Sequence, residues 1–275
     1  MKELLPIRFE GYMDKGGSTK PWKIITINPQ HGQLLETPYV LKLFTANNVR
    51  QQNSIGKEFL GNFLASEFDL IAPECGIIQL TKPFLDTLEK HQVNEYAHKH
   101  QGYTFASRLF NDAILYNENM PRSFPIKEYA NVFAFDCLTL NTDRGGYRNK
   151  PNILVDDDGF ILIDHELTFA FSDSQNRKAF EFVINNISNN TISPFAYDRH
   201  VFFKVLKQYR GSKKNIFDES REYIRNLNIN AVNDYISTLE KYDIKVGSKV
   251  LINDYLSYIK QNSDKYINTL LTVVS

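Results

Sequence analysis

The chain has 275 residues, of which 42% are hydrophobic and 23% are charged, a composition typical of a globular protein. Its 32 Lys and Arg residues balance 32 Asp and Glu residues, which excludes the basic footprint of a dedicated nucleic-acid-binding protein. Cys75 and Cys137 form neither a disulfide framework nor a metal-binding spacing. With no signal-like or membrane-spanning apolar run, we expect a cytoplasmic protein that binds no membrane.

Residues 1–81 are predicted to be mainly strand. Turn-forming Gly, Asn and Pro residues separate runs rich in β-branched residues. The predicted strands are Trp22–Ile27, Pro38–Phe44 and Pro73–Leu80. Ser54–Asp69 instead has apolar residues at helical spacing, so an amphipathic helix beginning at Asn53 or Ser54 is predicted there. The last strand is expected to lead into a hinge between two lobes.

Residues 82–275 are predicted to be mainly helical. The predicted helices include Phe84–Tyr96, Ile126–Leu140, Val232–Tyr242 and Leu251–Leu271. Ile126–Leu140 is apolar on nearly every side, which predicts a buried helix. A hairpin is predicted at Asn152–Asp164 and a polar loop at Asn185–Thr191. The fold class is therefore α+β, with a small β-rich N-lobe at 1–81, a helical C-lobe at 82–275 and a ligand-binding cleft between them.

The stretch from residue 138 to residue 171 carries the most informative pattern. The buried helix ends near Leu140, and a polar loop with Asn141, Asp143 and Arg144 follows. Next come two apolar runs joined by an acidic turn that ends in Asp158-Gly159, which favours a hairpin whether the turn has two or four residues. Cross-strand pairing then brings Asn152 to within about one residue of Asp164.

Asp143, Asn152 and Asp164 are the residue types that phosphoryl transfer requires, in the order found in kinases. One Asp accepts the proton of the attacking hydroxyl, and an Asn with a second Asp holds Mg²⁺. Amide and carboxylate oxygens are suitable ligands for this hard cation. The alternative is that these residues merely occupy turns, where Asp and Asn are common.

The pattern departs from ordinary protein kinases. Eight residues separate Asp143 from Asn152, whereas about four separate the corresponding residues of the protein-kinase loop. The chain also lacks a His-Arg-Asp motif, and Asp164-His165-Glu166 stands where Asp-Phe-Gly would be expected. An ordinary eukaryotic-type protein kinase is therefore not predicted.

The motif Asn141-Thr142-Asp143-Arg144, with the following hairpin and Ile163-Asp164-His165, resembles HipA-like kinases of the short branch without an extra N-terminal domain. It is distantly similar to type II phosphatidylinositol 4-kinases. The resemblance implies a two-lobed protein-kinase-like fold, with Asp143 as general base and Asn152 and Asp164 as Mg²⁺ ligands. Where many members have His after Asp-Arg, this chain has Gly145. Arg144 is expected either to anchor the loop or to contact phosphate.

Lys42 is the candidate for binding the ATP phosphates. It lies within a predicted strand, where a Lys on an apolar face needs a partner to offset desolvation. In kinases that partner is a Glu on the next helix together with the phosphates. Glu58 is the expected Glu, and Glu67 is a weaker alternative. The competing interpretation is an edge-strand Lys whose ammonium extends to water.

The segment Gly16–Lys20 is a candidate phosphate-covering loop, through Gly17, Ser18 and Thr19. It matches neither the Walker motif nor Gly-x-Gly-x-x-Gly, so a plain turn is an equal alternative.

The leading hypothesis is an ATP- and Mg²⁺-dependent kinase that phosphorylates Ser or Thr hydroxyls of a protein, including its own. The resemblance also brings an antitoxin or other regulatory partner into consideration. A phosphoinositide or small-molecule kinase of related fold is the alternative, although the palmitoylated Cys cluster of the type II lipid kinases is missing. A second alternative is a non-catalytic pseudokinase or binding module.

Overall fold

The computed structural model describes residues 1–13, 20–29, 35–120, 124–145, 150–173, 177–193 and 196–275. A five-stranded barrel forms the N-terminal part. Its strands are β1 (Glu3–Tyr12), β2 (Trp22–Ile27), β3 (Thr37–Leu41), β4 (Cys75–Ile78) and β5 (Thr104–Arg108). They pair in the order β1-β2-β3-β5-β4, and a short parallel pairing of β1 with β4 closes the barrel. Because strand residues alternate between faces, Trp22 and Ile24 share one side and are fully buried in its apolar cluster.

Two helices connect β3 to β4, namely α1 (Ala46–Gln52) and α2 (Ser54–Glu67). The predicted helix at 54–69 is thus confirmed, with its end two residues earlier. Asn53 precedes α2 in the left-handed conformation, φ 51°, which Asn tolerates better than most residues. A Cβ atom on Gly56 would overlap the carbonyl of Lys245. Only glycine therefore allows α2 to pack this closely against the C-terminal part of the chain.

The connection from β4 to β5 differs from the prediction. The predicted helix Phe84–Tyr96 is wrong, since two helices, α3 (Lys82–Leu85) and α4 (Lys90–Ala97), occupy this region. The break arises because Glu89 and Gln92 form a reciprocal capping box that starts a new helix. The expected hinge after β4 is also wrong. The chain returns as β5, which pairs with the free edges of β3 and β4, and leaves the barrel only after Arg108. The predicted lobe boundary at 81/82 thus precedes a strand of the barrel.

A second sheet carries the hairpin. It contains β6 (Ile114–Leu115), β7 (Ile153–Val155) and β8 (Phe160–Leu162), all antiparallel. Val155 pairs with Phe160, so the turn has four residues, and the Asp156 carboxylate accepts hydrogen bonds from the backbone N–H groups of residues 158 and 159. The predicted hairpin is confirmed. Helix α5 (Ile126–Thr139) is buried along nearly its whole length, as predicted.

The described residues that follow are mainly helical. After a short 3-10 helix at Ala170–Ser172 come α6 (Arg177–Ser188), α7 (Phe203–Lys207), α8 (Asp218–Asn226), α9 (Ile229–Glu240), α10 (Lys249–Gln261) and α11 (Ser263–Val274). The predicted loop Asn185–Thr191 is wrong in its first half, because burial of Ile187 holds residues 185–188 in the last turn of α6. The predicted helical stretch Leu251–Leu271 is divided at Asn262. Within the described ranges, no helix is long and apolar enough to cross a membrane.

Candidate active site

The polar loop after α5 begins with a sharp change of chain direction. Leu140 ends the helix in the left-handed conformation, φ 55°. The backbone N–H of Asn141 donates to the carbonyl of Asp136 at 2.9 Å. The Asn141 side-chain oxygen then accepts a hydrogen bond from the backbone N–H of Asp143 at 3.2 Å. These contacts hold the loop in a defined turn with Asn141 buried and Asp143 partly exposed.

The structure brings Asp143 and Asn152 together. The Asn152 side-chain amide donates to the Asp143 carboxylate at 3.1 Å and to its backbone carbonyl at 3.2 Å. Across the hairpin, the Ile163 N–H donates to the Asn152 carbonyl at 3.1 Å, so Asn152 lies one residue from facing Asp164, as predicted. Asn152 and Asp164 both have positive φ, 50° and 65°, and Asn and Asp are the non-glycine residues that tolerate this conformation best.

Lys42 follows directly after β3 and forms ion pairs with two carboxylates. Its ammonium contacts Glu58 on α2 and lies 2.9 Å from Asp164. The predicted Lys42–Glu58 pair is therefore present, whereas Glu67 lies at the opposite end of α2. The competing interpretation, in which the Lys42 ammonium extends to bulk water, is wrong, because the Lys42 side chain is only 15% exposed. An ammonium carries three N–H donors, so two carboxylate contacts leave one donor for a phosphate oxygen.

Three carboxylates converge beside Lys42. One ligand oxygen each from Glu58, Asp164 and Glu166 lies within 4.8 Å of the others. Glu58 also accepts a hydrogen bond from the backbone N–H of His165 at 3.0 Å, so its oxygens already have protein partners. The Asp164 and Glu166 carboxylates are hard oxygen donors of the kind that fits Mg²⁺, and the hairpin register places Asn152 one residue from facing Asp164. Sequence reasoning missed Glu166, although its position two residues after Asp164 was a usable signal.

Burial and neighbouring charges set the pKa values of these groups. Burial first, and then the charge of Asp164, raise the pKa of Asp143, although the Asn152 hydrogen bond opposes the shift. Burial would raise the pKa of Asp164, but the stronger combined effect of Lys42 and other neighbours lowers it. For Lys42 the directions are reversed: burial would lower the pKa of its ammonium, but the charges of Asp164 and Glu58 together raise it. Asp143 is therefore the more basic Asp of the two, and Lys42 stays charged.

Arg144 is buried beneath the loop, with 1% of its surface exposed. It forms an ion pair with Asp136 at 2.9 Å, and its Nη1 donates to the backbone carbonyls of Asn152 and Ile163. Two roles are predicted for Arg144, anchoring the loop or contacting phosphate. These contacts support the anchoring role, because so enclosed a side chain has little surface to offer a phosphate. Gly17, Ser18 and Thr19 lie outside the described residues.

A carboxylate on a loop, polar oxygen-bearing side chains at the ends of a hairpin and a buried Lys–Glu pair resemble the arrangement found in kinases. A model of the HipA-like kinase family matches residues 36–223, about two-thirds of the chain. The chain therefore belongs to the HipA-like kinase family, which confirms the predicted resemblance. The match includes Lys42, Glu58 and the whole loop and hairpin.

A solved structure, that of the Helicobacter pylori proinflammatory kinase CtkA, is similar to this chain with a TM-score of 0.50. The match covers 98% of this chain and 99% of CtkA, at 12% sequence identity. At a sequence identity this low, the comparison shows a similarity of fold alone. That similarity supports the mixed α+β class, with a β-rich N-terminal part and a helical remainder. No curated protein sequence matches the chain significantly.

Proposed function

We propose that this protein is an ATP- and Mg²⁺-dependent kinase that transfers the γ-phosphate of ATP to a Ser or Thr hydroxyl of a protein, including its own. The observation that carries the proposal is the convergence of Asp143, Asn152, Asp164 and Lys42 in a member of the HipA-like kinase family. Retention of all four groups, each with a partner suited to its role, argues against a pseudokinase.

Each residue has a distinct task. Lys42, held by Glu58, binds ATP phosphate oxygens. Asn152 and Asp164, with Glu166 as a further ligand, would hold Mg²⁺, which offsets negative charge on the phosphates when bound. The acceptor hydroxyl gives its proton to the Asp143 carboxylate as its oxygen bonds to the γ-phosphorus, and the bond from that phosphorus to the bridging oxygen of ADP breaks. The raised pKa of Asp143, caused by burial and by Asp164, makes it a better proton acceptor than an ordinary Asp.

The two-lobed division remains part of the proposal. ATP would bind between the barrel and the sheet of β6, β7 and β8, because Lys42 follows a barrel strand and Asp164 follows β8. An antitoxin or other regulatory partner stays a prediction from the family resemblance.

The test uses labelled ATP and Mg²⁺ with a cellular protein extract and phosphoinositide vesicles offered in parallel. We expect label in protein with wild type, and loss of at least ~10²-fold with Asp143→Asn, the scale of general-base catalysis. Asp157→Asn, in the exposed hairpin turn, is the matched control and should retain activity. Label in lipid alone would establish the phosphoinositide-kinase alternative, and failure of the wild type both to bind ATP and to transfer phosphate would refute the proposal.

A further inference from the structure

Asp136 lies in the middle of the buried helix α5 and is completely inaccessible to solvent. Its Oδ1 accepts hydrogen bonds from the Asn141 side chain at 3.2 Å and from Arg144 Nη2 at 3.1 Å. Its Oδ2 accepts from Arg144 Nε and from His200 Nε2, both at 2.9 Å. An ionised carboxylate has about four acceptor positions, so all of them are used.

The partners of Asp136 extend the network to the loop and to both ends of the hairpin. Arg144 Nη1 donates to the Asn152 carbonyl and, at 2.8 Å, to the Ile163 carbonyl. These carbonyls belong to the two ends of the hairpin that carries the proposed metal ligands. Asn141 in turn accepts from the N–H of Asp143. One buried carboxylate thus connects the loop of the proposed base with both ends of the hairpin.

His200 completes the network from the opposite side. Its Nδ1 accepts a hydrogen bond from the backbone N–H of Phe202 at 3.0 Å. In the neutral ring the proton must then be on Nε2, which donates to Asp136. The next residue, Val201, donates its backbone N–H to the carbonyl of Arg144 at 2.9 Å. The segment at 200–202 therefore holds both Asp136 and the backbone of the loop.

We propose that Asp136 and His200 are positioning residues of the phosphotransfer site, an inference that rests on the proposed function. Together they fix Arg144, which holds the Asp143 loop in register with the hairpin ends at Asn152 and Asp164. Burying an Arg–Asp pair costs desolvation, and well-packed apolar side chains often replace such pairs without loss of stability. Among the described residues, the side-chain hydrogen bonds of Asp136 go to two loop residues and to His200, so the network fixes the geometry of the loop.

The decisive comparison is between His200→Leu and His200→Gln. Leu removes the donor to Asp136, whereas the Gln amide restores an N–H of similar reach. We expect kcat to fall with Leu by on the order of 10²-fold, the cost of misplacing reacting groups by about 1 Å, with KM for ATP nearly unchanged and partial rescue by Gln. Asp136→Asn, which turns one acceptor into a donor facing other donors, should have a larger effect. Ser220→Ala is the matched control, because it removes a buried hydrogen bond to Asn131 on the same helix without touching the loop.

Hydrogen–deuterium exchange separates this inference from the proposed function. Exchange of the backbone N–H groups at 141–145 should be faster in His200→Leu than in wild type or Ser220→Ala, whatever the acceptor. If wild type transfers no phosphate, the proposed function fails and the exchange data alone decide whether the network holds the loop. The proposal is overturned if His200→Leu matches Ser220→Ala in loop exchange. It is equally overturned if an active enzyme shows the same kcat for His200→Leu, His200→Gln and the control.

Discussion

Replacing His165 with Leu should make the fold less sensitive to acid. The His165 side chain is buried between α2 and α5, with its ring edge-on to Phe135 at 6.0 Å and against Gly61. Neither ring nitrogen has a hydrogen-bond partner among the described residues. Burial, together with the charge of Arg144, lowers the pKa of His165 from 6.5 to about 3. The imidazole is thus neutral in the folded protein at neutral pH.

The size of the effect follows from that difference in pKa. The unfolded chain binds a proton at His165 as the pH falls through 6.5, while the folded chain does so only near pH 3. The unfolded state binds more protons in this window, so stability falls as the pH falls. Between about pH 7.5 and about pH 4.5 this group should remove about 3 kcal/mol from the free energy of unfolding.

The assay is urea unfolding followed by circular dichroism at the two pH values. On acidification, the free energy of unfolding should fall by about 3 kcal/mol less in His165→Leu than in wild type. At the higher pH it should be at least as stable as wild type, because it no longer buries unpaired polar atoms. His91→Leu, which removes an exposed imidazole, is the control and should retain the wild-type difference. Equal losses in wild type and His165→Leu would refute the reasoning.

Two further predictions concern buried ion pairs. Lys42→Met should weaken ATP binding by about tenfold or more, since a charged contact to phosphate is lost, and isothermal titration calorimetry without an acceptor measures this; unchanged affinity would exclude Lys42 as a phosphate-binding residue. Asp173→Asn should lower the free energy of unfolding by roughly 3 kcal/mol, because the Lys57 side chain is only 2% exposed and its Nζ pairs with Asp173 at 2.6 Å. Urea unfolding measures that loss, and a value under about 1 kcal/mol would show that the Lys57 charge is tolerated unpaired.

Sequence patterns predicted the parts of the site that depend on local structure. The hairpin follows from two apolar runs around a turn ending in Asp158-Gly159, and its pairing brings Asn152 close to Asp164. Lys42 and Glu58 are predicted as partners because a Lys on an apolar strand face needs a partner and kinases supply a Glu from a helix for this purpose; the structure pairs them. The roles of Asp143 as base and of Asn152 and Asp164 as metal ligands remain predictions.

The missed features depend on contacts between distant parts of the chain. Strand β5 completes the barrel from beyond two intervening helices, and no local pattern specifies that pairing. Asp136 is the one charged residue in the buried stretch Tyr129–Thr139 of α5, which signals a buried partner without identifying it. Its partner His200 is 64 residues away. Only the assembled fold shows that these side chains meet beneath the loop.

The measurement that tests the central claim most directly compares Asp143→Asn with Asp164→Asn in two assays, Mg²⁺-dependent ATP binding and γ-phosphate transfer. If Asp143 is the base and Asp164 a metal ligand, Asp143→Asn should retain Mg²⁺-dependent ATP binding while losing transfer. Asp164→Asn should lose both the dependence of ATP affinity on Mg²⁺ and the transfer. Transfer at the wild-type rate by either variant, or ATP binding by wild type that is indifferent to Mg²⁺, would contradict the account.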